Sequence, residues 1–158
     1  MILWRLTRRP HADLTGRGGE LAEGRWHTCG KPVVYCATTA ALTVLEVRVH
    51  LDLPLGLLPD DYVMTKIEAP DDLAKRTLEL ANLPKGWQKD ESLCRPVGDL
   101  WLAECSTPLL DVPSAIVEVE RDLLVNPKHP DAARVTVAEI TAFTWDERLF
   151  SGGTASTA

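Results

Sequence analysis

Two residues could do chemistry where chemistry is least expected. Glu46 and His50 sit in TTAALTVLEVRVHL, residues 38–51, a stretch that is otherwise almost wholly apolar or neutral. A carboxylate can move protons or stabilise a developing positive charge. An imidazole titrates near neutral pH. Four residues apart, the two stack on one helical face. At roughly 100° per residue, Ala41, Leu42, Leu45 and Val49 form an apolar arc. Ala40, Val44, Val47 and Leu51 make much of the remaining surface apolar. Thr39, Thr43, Glu46 and His50 share the narrow seam between. A helix apolar nearly all round is expected to be buried. An unpaired buried carboxylate then costs several kcal/mol or takes up a proton. Two readings follow. Either Glu46 has a partner, His50 or an arginine, that ties the helix down, or the seam lines a cleft and Glu46 acts on a ligand. Helix geometry alone leaves both open.

The elements around this helix read as a mixed α+β domain. ILWRL, residues 2–6, alternates like a strand. A glycine-rich stretch, residues 15–32, reads as a long loop. VVYCA, residues 33–37, is a second strand, and Thr38 or Thr39 can cap the helix that follows. Residues 62–68 form a strand. PDDLAKRTLELANLP suggests a helix from Asp71 or Asp72, with Leu73, Thr77 and Leu80 on one face and Pro84 ending it. Residues 92–105 fit a helix weakened at its start by Pro96 and Gly98. PLLDVPSAIVEVE, DLLVNP, ARVTVAEI and ITAFTWD are strands, the first an edge or bulged strand at Pro113. Residues 151–158 read as a disordered tail. The expectation is a single domain over residues 1–150, with a β-rich core and about three helices.

The bulk numbers narrow the function. The chain has 158 residues and a net charge of −6, which argues against a nucleic-acid backbone as partner. The charge is uneven: residues 1–31 hold six Lys/Arg and three acids and are net positive. Those arginines either decorate the surface or serve a small anionic ligand. No apolar run is long enough for a membrane helix, and the N-terminus lacks signal-peptide order, so the expected location is the cytoplasm. Cys29, Cys36, Cys94 and Cys105 lack zinc-ligand spacing and read as ordinary buried or free thiols. GRGGE lacks the spacing of a phosphate loop, and Ser114 has no GxSxG elbow. The turn NPKHPD and the tryptophans 26, 87, 101 and 145 read as structure.

Taken in order, LWRL (3–6), GRW (24–26), VVYCATTAALTVLEVRVH (33–50), VPSAIVEVERDLLVNPKHPD (112–131) and ITAFTWDERLF (140–150) resemble the RES-domain toxins, named for Arg, Glu and Ser. The resemblance spans residues 2–150 and is thinnest from Asp52 to Trp101. It implies a fold like that of the ADP-ribosyltransferases and NAD+ as substrate, with no metal. It also implies the toxin role of a bacterial toxin–antitoxin pair. Some family members destroy free NAD+, with water or phosphate as acceptor; others transfer ADP-ribose to a protein. The implied partner is a small DNA-binding antitoxin of the Xre/MbcA/ParS type that covers the site.

The family's arginine falls on Arg25, its tyrosine on Tyr35, its glutamate on Glu46 and its serine on Ser114. The first-strand arginine falls on Arg5. Guanidinium groups suit a pyrophosphate, which makes Arg5 and Arg25 its ligands. A fixed carboxylate stabilises charge developing on the ribose, which gives Glu46 and Arg25 the catalytic places. An aromatic face favours the cationic nicotinamide ring, a role for Tyr35. Ser114 would bond the nicotinamide amide or a phosphate, and His50 would orient Glu46 or touch the ligand. A non-catalytic nucleotide-binding module is the rival from another class.

Overall fold

A computed structural model of the chain describes residues 1–150. The tail expected at 151–158 lies outside the described residues. Seven strands form one sheet: β1 (Ile2–Arg8), β2 (Val34–Ala37), β3 (Tyr62–Glu68), β4 (Lys75–Thr77), β5 (Leu109–Pro113), β6 (Arg121–Val125) and β7 (Thr136–Ala142). Their order is β4-β5-β6-β2-β1-β3-β7, with β4 and β5 parallel and the other neighbours antiparallel. Three α-helices accompany it: α1 (Arg17–Leu21), α2 (Ala40–Arg48) and α3 (Arg95–Glu104). The mixed α+β architecture is the one the sequence suggests.

Strand alternation divides the core. Leu123 and Val125 of β6 join Val34 and Cys36 of β2, Leu3 and Ile67 in one apolar cluster. Leu124, between them, packs on the other face with Leu110, Val112, Trp26 and Trp101 of α3. This is the period of two that strand geometry imposes. Thr39 caps α2 as expected, its hydroxyl accepting from the Leu42 amide at 3.1 Å.

The centre of the sheet is its weak join. β1 and β3 pair along seven residues, but β1 meets β2 at the single pair Trp4↔Ala37. A cleft opens beside that join.

Several expectations need correction. The helix expected from Asp71 or Asp72 to Pro84 is absent. Lys75–Thr77 is instead the exposed edge strand β4, recruited by parallel pairing to β5, and Leu80–Asn82 is a 3-10 turn. The loop at 15–32 contains α1. α2 ends at Arg48, short of Leu51, and the two strands read across 133–146 are the single strand β7. β5 lies inside the sheet as far as Asp111 and is an edge at Pro113, as expected there. Pro113 is tolerated because β4 stops opposite Asp111, so the missing N–H faces no neighbour there.

Candidate active site

The cleft has a volume of about 560 Å³, within the range of small-molecule sites. It is lined by three consecutive residues of β1 (Arg5, Leu6, Thr7) and three of β2 (Tyr35, Cys36, Ala37). Consecutive strand residues point to opposite faces. A cleft that meets all three in both strands therefore runs between the strand edges, where the sheet is joined by one pair. α2 closes one side with Thr43, Glu46 and Val47, and His50 follows in the turn beyond it. The polar seam of the opening helix thus faces the cleft, except Thr39, which caps the helix.

Glu46 is held from behind. Ser114, 1% exposed, donates its hydroxyl hydrogen to Glu46 Oε1 at 2.7 Å and accepts from the amides of Ile116 and Val117, each at 3.1 Å. Those bonds use the serine's donor and both lone pairs. Ser114 therefore stands behind the carboxylate, not on the cleft wall. Asp122 of β6 lines the same cleft as Glu46. Burial first, then the neighbouring Glu46 charge and a hydrogen bond with Glu46, push the Asp122 carboxyl up to about 8. No sequence motif marks Asp122 as a site residue.

Arg25 reaches the cleft from the glycine-rich segment. Its Nη1 donates to Trp87 O at 2.7 Å, and its Nη2 lies 3.5 Å from Glu91 Oε1. Arg5 enters from β1, with Nη1 donating to Asp13 O at 2.6 Å. Burial lowers its pKa, but the guanidinium stays charged.

Tyr35 presents its ring to the cleft while its hydroxyl is occupied. That oxygen accepts from Trp26 N at 3.1 Å and lies 2.8 Å from His27 Nδ1. His27 Nε2 lies 3.2 and 3.1 Å from the carbonyls of Gly19 and Ala22. Two acceptors there require Nε2–H, so Nδ1 accepts the Tyr35 hydrogen. Burial lowers the pKa of His27 and raises that of Tyr35, which keeps both neutral. His27, like Asp122, carries no motif in the sequence that marks it.

The segment carrying Arg25 is fastened to α3. Asp99 accepts from the Thr28 amide and hydroxyl at 3.0 and 2.9 Å and pairs with Lys31 at 2.8 Å. Arg95 Nε donates to Gly24 O at 3.1 Å. Gly98 makes this approach possible, since a Cβ there would lie 1.8 Å from Trp26 O. Among the described residues no group of three or more His, Cys, Asp or Glu could hold a metal. No described helix is long and apolar enough to cross a membrane.

The sequence matches the RES domain family over residues 2–146. The chain belongs to the RES family of toxins. Its RES relatives include a Pseudomonas putida protein named Toxin Res, 41% identical over 150 residues, which are 95% of this chain and 100% of the relative. A Sphingobium protein named Prs ADP-ribosylating toxin is 37% identical over 142 residues, covering 87% of this chain and 86% of the relative. The RES fold is also similar to a chain in the crystal structure of the M. tuberculosis MbcT–MbcA toxin–antitoxin complex. The TM-score is 0.72 at 20% identity, over 90% of this chain and 84% of that one.

Proposed function

We propose that this protein is the toxin of a toxin–antitoxin pair and that it cleaves the nicotinamide–ribose bond of NAD+. The observation that carries the reading is Glu46, a carboxylate fixed by Ser114 and facing a cleft that also holds Arg25 and Arg5. Two guanidinium groups suit the pyrophosphate, and the ring of Tyr35 suits the nicotinamide face. The C–N bonding pair leaves with nicotinamide, which becomes neutral. Positive charge builds on the ribose, and Glu46 lies ready to stabilise it. An acceptor oxygen then bonds to the ribose carbon and loses its proton.

With water or phosphate as acceptor the protein depletes free NAD+, and this is the lead reading. The name of the Sphingobium relative favours the second reading, transfer of ADP-ribose to a protein. Similarity to a chain from a toxin–antitoxin complex supports an antitoxin partner that covers the cleft. The experiment is mass analysis of NAD+ products alongside cell proteins after induced expression. ADP-ribose or its 1″-phosphate supports the first reading. An ADP-ribose mass increment on one protein supports the second. Intact NAD+ and unmodified proteins would overturn both.

A further inference from the structure

We propose that Asp122 is a positioning residue for Glu46: its carboxyl group donates a hydrogen bond to that carboxylate, so the pair holds one negative charge and Glu46 is gripped by Asp122 as well as Ser114. This rests on the reading of Glu46 as the catalytic carboxylate.

The sheet brings the two acids together. β6 pairs with β2 in the register Tyr35↔Leu124 and Ala37↔Asp122. Cross-strand partners share a face, so Asp122 and Tyr35 project to the same side. β5 sets Val112 against Asp122, and the chain reaches Ser114 two residues later. Ser114 and Asp122 therefore approach Glu46 from neighbouring strands while α2 presents it from above. Two adjacent carboxylates in a partly buried site do not both ionise readily, and a shared proton is the usual resolution.

The charges around Asp122 relieve it only in part. Glu46 faces it from α2, and Glu120 lies beside it. Cys36 of β2 is kept neutral, its thiol pushed up to about 12 by burial. Arg121 is next in sequence, but its guanidinium is spent on Asp111 at 2.6 Å and on the carbonyls of Leu78 and Asp111. Arg121 lowers the Asp122 pKa, but burial and the neighbouring acids outweigh it, and Arg5 and Arg25 of the same cleft donate to Asp13 O and Trp87 O.

The unfolded chain releases the Asp122 proton near the ordinary aspartate value of 3.8, and the folded chain near 8. Between these values, rising pH penalises the folded state. Asp122→Asn keeps a donor and removes the titration.

The test compares thermal unfolding of wild type and Asp122→Asn from pH 4 to pH 8, with the same pair in a Glu46→Gln background. Expected is an Asn variant that gains on wild type as pH rises, with the gain shrinking when Glu46 is neutral. In steady-state nicotinamide release, Asp122→Ala lowers kcat about tenfold or more with little change in KM. Asp122→Asn retains most of kcat and loses the alkaline fall of the wild-type pH profile. A pH-independent stability gap, or wild-type kcat in Asp122→Ala, would overturn the proposal. Absence of nicotinamide release from wild type would instead sink the NAD+ reading, and the unfolding comparison would still decide whether the acids share a proton.

Discussion

A serine hydroxyl has one hydrogen bond to donate, and behind this cleft Ser114 donates it to Glu46. A hydrogen bond to a charged group contributes about 1.5–3 kcal/mol. Ser114→Ala should therefore lower kcat of nicotinamide release by about ten- to a hundredfold, with KM little changed, in steady-state kinetics. Glu91, which lines the cleft, competes with any anionic ligand for Arg25. Glu91→Gln should lower KM for NAD+ severalfold and leave kcat nearly intact, because a partly exposed pair at 3.5 Å contributes about 1 kcal/mol or less. Glu46 was legible in the sequence because a lone acid in an apolar helix contradicts its surroundings. Asp122 was not, because an acid beside an arginine at a strand start reads as a solvated pair. Its closeness to Glu46 depends on β6 lying against β2, a pairing between residues far apart in the chain. His27 was hidden for a similar reason: the groups that fix its tautomer are backbone carbonyls of a folded loop.

α3 matters to the cleft without lining it. It holds the segment that carries Arg25, and Gly98 is the point of closest approach. The obstruction at Gly98 is backbone and cannot swing aside. Gly98→Ala should destabilise the fold by about 3 kcal/mol, seen as a fall of roughly 6–12 °C in Tm, although alanine is the better helix former. Proline and glycine in residues 92–105 weaken the helix signal, yet the helix forms because Trp101 and Cys94 are buried in its core cluster. Tertiary packing overrides propensity there. The converse error, the helix expected at 71–84, has the same cause. Leu73, Thr77 and Leu80 have helical spacing, but Lys75–Thr77 is taken by β5, and no local pattern announces a parallel partner more than thirty residues away. α2 and β3 were legible because cap and alternation are local signals, and both sit where those signals put them.

The whole molecule is a sheet in two halves joined at Trp4↔Ala37, and its cleft is the gap that this short join leaves. That gap was not visible in the sequence, since strand order is a property of the assembled sheet. The buried His27 couples cleft integrity to pH. Its folded pKa is depressed by burial, so the unfolded chain takes up a proton first as pH falls below about 6.5. The folded state should lose stability over that window. Chemical denaturation at pH 7.5 and 5.5 checks this: the stability advantage of wild type over His27→Gln should narrow at the lower pH. The direct measurement of the role of Glu46 is nicotinamide release from NAD+ by purified wild type and by folded Glu46→Gln. Release by wild type, reduced about a hundredfold or more in the variant, is what the cleft geometry predicts. Equal release by both proteins, or none by wild type with phosphate and cell protein supplied as acceptors, would contradict it.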